Sequence, residues 1–392
     1  MNLCRGLIAR SASVAALAAW CSPAAGEDVT PHAQRVLAQP TGEQRFLELT
    51  DAMHSLSEPD QVLLLRHVLH EATPGLACQV AGILITREGM TGEDIAALSV
   101  MVHEWEPLDQ FMALSQIQTL AAPEQRRYAG ALRTAYGIAL QRHAATPEGG
   151  KNLDVIDLCA LMIGRSGDPD AISDARAILG QVPASAGAWI VLLERGAVGA
   201  SDRAIAQTIW SDEALELPVR VLAAIAMGPT SPEAAAFVSS TVQGLADEFG
   251  ARTQEDIVLA GYRAPPGDPE RASATRFISV AHPILSYMPL VSNGAADPVL
   301  CVCSNLTNEL LRDTALYAIA KRSPALLLQE PACIESQEQL LRAAGAAFVW
   351  HPELQARFNQ RFGEAQISGA VQAVTNASGT PILGLSGPPM LP

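Results

Sequence analysis

Apolar residues recur at helical spacing in nearly every periodic stretch of this chain, and this pattern restricts its fold more than any other feature. The stretch "DQVLLLRHVLHEA" places Val62, Leu65 and Leu69 on one helix face, and "EDIAALSVMVHEW" repeats the pattern further along. The alternation that is typical of strands is scarce, and aromatic residues make up only 5% of the chain. The sequence therefore predicts an all-α fold of helices joined by short links.

Proline and capping residues mark the expected helix starts in "SEPDQ", "GDPDA", "TSPEA" and "GDPER". The polar segment 146–152, "TPEGGKN", predicts a loop between an N-terminal helical block, 27–147, and a C-terminal block, 153–366. From Ile367 onward the chain becomes rich in Gly, Pro and Ser and almost uncharged, which predicts a disordered tail over 367–392.

An arginine followed three residues later by alanine recurs along the chain, most clearly in "LPVRVLAAIAM" and "LLRDTALYAIA". Arg220, Arg271 and Arg312 fit this pattern, Arg133 matches it only loosely, and Arg176 adds a further arginine at similar spacing. Successive arginines of this set are separated by about 41–51 residues. Both segments resemble the second helix of HEAT and armadillo repeats. This resemblance implies stacked antiparallel helix pairs in an α-solenoid-like array, and the alternative is an irregular helical array.

The first 26 residues have the pattern of an export signal. Arg5 and Arg10 precede a short apolar core, and small residues precede Glu27 as in a cleavage site. Lysine is nearly absent beside abundant arginine, which is typical of a GC-rich bacterial genome. We therefore expect a cleavable signal peptide, 1–26, and a periplasmic protein in an oxidising compartment.

The charge of the chain restricts its partners. The formal net charge is −15, which disfavours nucleic acid and anionic membrane surfaces. Beyond the signal no apolar run approaches the ~20 residues of a transmembrane helix. Phosphate-binding glycine loops, dinucleotide fingerprints and Cys-x-x-Cys motifs are also absent from the sequence, so we expect no cofactor. Another protein or a peptide is the expected partner.

His67 and His70 are candidate metal ligands, because residues three apart share a helix face. Zinc-protease signatures are absent around them and around His103. Both histidine clusters also fall at expected helix ends, where a cationic ring interacts favourably with the helix dipole. We therefore expect helix-end histidines and no metal site.

Three glutamates are candidate general acids of an all-helical periplasmic enzyme that acts on cell-wall or other polysaccharide. Glu104 and Glu106 flank Trp105, whose ring could stack on a sugar. Glu335 opens "ESQEQLL", which resembles the Glu-Ser helix start of lytic transglycosylases, but the downstream Gly-Leu-Met-Gln segment of that family is missing. The low aromatic content argues against a sugar cleft, so this enzyme is the alternative hypothesis.

Cys301 and Cys303, one residue apart, are the most distinctive cysteines. We expect a structural disulfide between Cys303 and Cys333, with Cys301 as the alternative partner of Cys333, because either bond closes a loop of about 30 residues. A metal site or a redox-active pair are the other possibilities. Cys78 and Cys159 lie in apolar helical stretches and are expected to be buried. Taken together, the sequence predicts an exported, acidic helical-repeat protein that acts as a scaffold or binds a protein or peptide.

Overall fold

The computed structural model describes residues 28–146, 150–291, 297–329 and 334–376. Over these ranges the chain forms helices and no strand, which confirms the all-α prediction. No helix in the described ranges combines the length and apolar character that crossing a membrane requires. The chain divides into two compact units, Met1–Val191 and Leu192–Pro392.

The helices of the first unit are short and follow one another closely. They are α1 Thr30–Ala38, α2 Gly42–Ser55, α3 Glu58–Glu71, α4 Pro74–Thr86, α5 Gly92–Met101, α6 Pro107–Leu114, α7 Ala122–Arg127, α8 Ala129–Ala145, α9 Gly150–Arg165 and α10 Ala171–Gln181. A 3₁₀ segment, Ser115–Thr119, follows α6. Helix α11, Ala186–Glu194, begins in this unit and ends just beyond its boundary.

The second unit continues the same pattern. Its helices are α12 Ala200–Trp210, α13 Leu217–Met227, α14 Pro232–Phe249, α15 Gln254–Arg263, α16 Pro269–Arg276, α17 His282–Tyr287, α18 Asp297–Cys303, α19 Glu309–Arg322, α20 Pro324–Leu328, α21 Gln337–Trp350, α22 Gln355–Phe362 and α23 Glu364–Asn376. A π-helical segment, Phe277–Ala281, joins α16 to α17.

Short polar side chains cap three of the four helix starts that the sequence marked with proline, and α10, after "GDPDA", has no side-chain cap. The side chains of Ser57, Ser231 and Asp268 each accept a hydrogen bond from a backbone N–H in the first turn of α3, α14 and α16. Each cap satisfies one of the N–H groups that the first turn leaves without an intrahelical partner. Local chemistry therefore determines these boundaries.

The core of the first unit is built around α4. Its side chains from Leu76 to Cys78 and from Val80 to Ile85 are buried, so this helix is enclosed on most sides. Helix α4 packs against α3 and α6, α6 packs in turn against α9, and α8 packs against both α5 and α9. Neighbouring helices therefore bury the apolar faces that the sequence periodicity indicated.

The predicted break at 146–152 is not the boundary between the compact units. Helix α9 begins at Gly150 and packs against α8 within the first unit, and the boundary falls after Val191. Residues 147–149 lie outside the described ranges. The two glycines therefore mark a connection inside one unit, because the apolar faces on both sides pack against each other.

The predicted tail is wrong for its first ten residues. Helix α23 continues to Asn376 and buries Ile367, Ala370 and Val374. It lies so close to α21 that a Cβ at Gly345 would be 2.9 Å from the backbone of Ala370. Tertiary packing against a small residue therefore makes this Gly- and Ser-containing segment helical, and residues 377–392 lie outside the described ranges.

The arginines that suggested a repeat make different contacts. Arg133 bridges to Asp168 at 2.6 Å and Asp174 at 2.9 Å. Arg220 donates to the carbonyl oxygen of Trp210, and Arg312 pairs with its own neighbour. The regular spacing therefore does not correspond to one recurring contact.

A glutamine near the start of four helices forms a recurring corner that the sequence analysis missed. In each case a proline precedes the glutamine by two or three residues, and the glutamine Nε2 donates to a carbonyl oxygen at the end of the preceding helical segment. The donors and acceptors are Gln61 to Met53, Gln110 to Val102, Gln125 to Leu120 and Gln355 to Phe348. These bonds satisfy carbonyls that a helix end leaves without an intrahelical partner.

Arginine side chains stabilise other helix ends in the same way. Several guanidinium groups donate to carbonyl oxygens in the last turn of a helix or in the connection that follows it. The pairs are Arg45 with Gln39, Arg66 with Gly89, Arg126 with Gly167, Arg127 with Met90, Arg142 with Trp105 and Arg361 with Leu328. The guanidinium group of arginine carries several N–H donors in a planar fork, which suits this role better than the ammonium group of lysine does. The abundant arginine therefore has a structural role.

Candidate functional site

The structure does not bring His67 and His70 to a common site. His67 Nε2 lies 3.6 Å from Glu71 Oε1 on its own helix, whereas His70 Nε2 lies 3.0 Å from Asp94 Oδ1. Within the described ranges, no three His, Cys, Asp or Glu side chains are grouped so that they could hold a metal ion. Each histidine therefore has a separate carboxylate partner.

Asp94 joins α3 to the start of α5. Its carboxylate accepts from the backbone N–H and the hydroxyl of Thr91, both at 2.7 Å, and lies 3.2 Å from the guanidinium of Arg66. Burial opposes ionisation of this group, but the bonds from Thr91 and His70 and the charge of Arg66 outweigh it and hold the pKa of Asp94 below its ordinary value. This cluster is a capping box with two additional partners, the ring of His70 and the guanidinium of Arg66.

The segment around Trp105 does not form a sugar-binding surface. The Trp105 side chain is only 1% exposed, while Glu104 and Glu106 on either side are exposed. Arg142 holds the segment by donating to the carbonyl oxygens of Trp105 at 2.8 Å and His103 at 3.2 Å. The ring is therefore part of the core and has no free face on which a sugar could stack.

Glu335 is exposed and lies outside the helix that it was expected to begin. Helix α21 is capped by Ser336, whose side chain accepts from the N–H of Gln339. The backbone N–H of Glu335 donates to Asn305 Oδ1 at 2.9 Å. The observed role of this position is to hold the chain beside the residues that follow α18.

The predicted disulfide of Cys303 is wrong. Cys303 is a free, buried thiol, and burial, with a smaller contribution from the charge of Asp247, raises its pKa to about 12. Leu300 and Cys303 are both buried and lie three residues apart on α18, so they share its inward face, whereas Cys301 is half-buried. Cys301 is not among the free thiols, and Cys333 lies outside the described ranges.

Cys78 and Cys159 are buried free thiols, as expected. Burial, and next the charge of Asp109, raises the pKa of Cys78 to about 12, and burial also raises the pKa of Cys159. A thiol held in its neutral form is a poor nucleophile. These two cysteines therefore act as small apolar core residues.

Asp157 is a buried carboxylate that holds the start of α11. Its Oδ1 accepts from the hydroxyl of Ser185 at 2.6 Å and from the backbone N–H of Gly187 at 3.1 Å. Burial raises the pKa of Asp157 to about 7, although these bonds partly offset the effect. Because Gly187 lies directly against the backbone of Asp157, we assign this carboxylate to the packing of α9 against α11.

Large apolar side chains are exposed on several outward helix faces. In the first unit, Leu63 on α3 is 49% exposed and Val100 on α5 is 70% exposed. In the second unit, Leu259 and Tyr262 on α15 are 38% and 67% exposed. These are candidate contact surfaces, because packing within each unit does not cover them.

Comparison of the chain with known proteins gave no match. No protein-family model matches the chain, and no curated protein or solved structure is significantly similar to it. The candidate surfaces are therefore interpreted from their own chemistry.

Proposed function

We propose that the chain is exported to a bacterial periplasm through its first 26 residues and acts there as a helical-repeat scaffold that binds another protein or a peptide. The signal-like pattern before Glu27 supports export. The continuous series of contacts from α3 through α4 and α6 to α9 supports stacked helix pairs, since each helix packs against near neighbours along the chain.

The observation that carries the binding function is the outward exposure of Leu63 and Val100. Leu63 lies on α3 beside the buried core residues Leu64 and Leu65, so the helix uses one face for packing and leaves this side chain free. Val100 is exposed in the same way beyond the buried Leu98. Apolar groups left on such outer faces are the type that protein interfaces bury.

The size of the native complex tests this proposal. We expect tagged wild-type protein in a gently prepared periplasmic extract to elute ahead of its own protomer and dimer. The double variant Leu63→Glu/Val100→Glu should elute without the additional mass, while Gln79→Glu, an exposed position on α4, should retain it. Elution of wild type and double variant at the same size, or recovery from the cytoplasm with residues 1–26 attached, would contradict the proposal.

We also propose that Cys301 forms the disulfide with Cys333. The backbone N–H of Glu335, two residues from Cys333, donates to Asn305, whose Nδ2 donates to the carbonyl oxygen of Cys301 at 3.3 Å. This contact places Glu335 beside the residues that follow α18, and Cys303 is a free, buried thiol; both observations support Cys301 as the partner. Peptide mapping without reduction should find Cys301 joined to Cys333 and Cys303 as a thiol; a Cys303 crosslink would exclude this pairing.

The alternative enzyme that acts on polysaccharide has no supporting observation in the described ranges. Glu104 and Glu106 are exposed, but the aromatic ring between them is buried. The scaffold is therefore the function that the geometry favours.

A further inference from the structure

Helix α15 has one face that is closely packed and one face that is open. Ile257 is fully buried, and at Gly261 a Cβ would lie 2.2 Å from the Cβ of Ala274 on α16. This close approach fixes the side of α15 that faces α16. The opposite side of the helix must therefore face outward.

Four exposed residues occupy this outward side, Glu255, Leu259, Tyr262 and Arg263, and the exposed Asp256 lies at its edge, two turns before Arg263. With about 100° between successive residues, they fall within an arc of roughly 100° opposite Ile257. Tyr262 is 67% exposed and Leu259 is 38% exposed. We call these four residues the α15 stripe.

The two charges of the α15 stripe lie at its ends and have no partner within the described ranges. Glu255 stands in the first turn and Arg263 is the last residue of the helix. Two other arginines of this unit are paired, since Arg252 lies 3.0 Å from Glu270 and Arg276 lies 3.0 Å from Glu248, and the Asp256 carboxylate accepts from the Thr253 hydroxyl. The stripe therefore presents an acid, two apolar side chains and a base in order along the helix.

This order is self-complementary under a twofold rotation. When α15 packs antiparallel against the α15 of a second copy, with the axis near Leu259, Glu255 of each copy meets Arg263 of the other. Leu259 of each copy meets Leu259 of the other at the axis, and Tyr262 of each copy lies over the first turn of the other α15, near Asp256, so both side chains lose exposure to water. A partner of one charge sign would leave one end of the stripe opposed by a like charge, so a second copy fits better than a uniformly basic or acidic segment.

We propose that the protein self-associates through the α15 stripe to form a twofold dimer. This contact lies in the second unit and does not depend on Leu63 or Val100. A pair of ten-residue helices is smaller than a standard interface of about 1,600 Å². We therefore expect a weak dimer, with a dissociation constant on the order of tens of micromolar.

Sedimentation equilibrium of the full mature chain measures the dissociation constant of the dimer, and charge-reversal variants test the proposal. Arg263→Glu alone and Glu255→Arg alone should each weaken the dimer about tenfold or more, because each places like charges together at both ends. The double variant Glu255→Arg/Arg263→Glu should restore the wild-type dissociation constant. Arg357→Glu, an exposed position on α22, is the matched control and should leave it unchanged.

A second measurement places the twofold axis. Leu259→Cys should form a disulfide-linked dimer under mild oxidation, because the two side chains face each other, while Arg357→Cys should not. Circular dichroism checks that each variant remains folded. A wild-type chain that stays monomeric to about 0.5 mM, or a dimer that the two single reversals do not weaken, would overturn the proposal.

Discussion

Gly187 lies directly against the backbone of Asp157. A Cβ at position 187 would be 2.3 Å from the carbonyl oxygen of Asp157, and the N–H of Gly187 donates to the carboxylate of the same residue. Helices α9 and α11 therefore approach each other at a point where only glycine fits. The contact combines close packing with the buried acid that holds the start of α11.

Gly187→Ala should lower the free energy of unfolding by about 1–3 kcal/mol, because the added methyl group meets backbone that cannot move aside easily. Gly180→Ala is the matched control: that glycine is exposed on α10 and has no atom near its missing Cβ. It should stabilise the protein by about 0.5–1 kcal/mol. Urea unfolding measures both, and equal effects of the two substitutions would contradict the close approach.

The pKa of Asp157 predicts how stability depends on pH. Its pKa is raised to about 7 in the folded protein from an ordinary value of 3.8, so the folded state binds this proton more tightly than the unfolded state. The contribution of this group to stability is therefore full below pH 4 and is lost as pH rises from about 4 to 7.

Asp157→Asn should remove this pH dependence. Urea unfolding at pH 5 and pH 8 measures it, and the difference between the two free energies of unfolding should be smaller in the variant than in wild type. The same difference in both proteins would show that Asp157 is ionised throughout, with Ser185 and Gly187 stabilising its charge.

The glutamine corners differ in how many hydrogen bonds the glutamine side-chain amide makes, and the effect of this difference on stability can be measured. Gln61 donates to Met53 and Leu56, and its Oε1 accepts from Arg87 at 2.6 Å. Gln110 donates to Val102, but its buried Oε1 has no partner. Methionine fills nearly the same volume as glutamine without these bonds.

Gln61→Met should therefore lower the free energy of unfolding by about 2–4 kcal/mol, since it removes one donor to the carbonyl oxygens of Met53 and Leu56 and one acceptor of the Arg87 guanidinium. Gln110→Met should lower the free energy of unfolding by less, about 1 kcal/mol or below, because it also removes a buried oxygen that has no hydrogen-bond partner. Chemical denaturation measures the free energy of unfolding of both variants. A larger loss at Gln110 would contradict the account of these corners.

Substitution of Trp105 should destabilise the protein much more than substitution of its neighbouring glutamates. Trp105→Ala should lower the free energy of unfolding by about 3–5 kcal/mol, because a large buried ring is removed. Glu104→Gln and Glu106→Gln should change it by less than about 0.5 kcal/mol, since both side chains are exposed. Thermal unfolding of the three variants checks this, and a stable Trp105→Ala protein would show that the ring is not part of the core.

The sequence predicted those features that depend on local chemistry. Ser57 with its following proline, and the similar starts at Ser231 and Asp268, mark true helix boundaries because a cap acts within one turn. The all-α fold followed from the periodicity of apolar residues for the same reason.

Features that depend on distant contacts were not predictable in this way. Arg142, far along the chain from Trp105, holds the segment in which that ring is buried. The rotation of α18 decides that Cys303 points inward, and neighbouring apolar residues do not reveal that rotation. The glutamine corners carry a signal, a proline two or three residues before a glutamine, but its meaning emerges only when the acceptor carbonyls are located.

The exposed side chains of the first unit provide the most direct test of the proposed function. A photo-crosslinking amino acid placed at position 63 or 100 in living cells should yield the same discrete adduct with a second protein from both positions. The control at Gln79, an exposed polar position on α4, should yield no such adduct. Absence of an adduct from positions 63 and 100, or an identical pattern from position 79, would contradict the claim that this protein works by binding a partner.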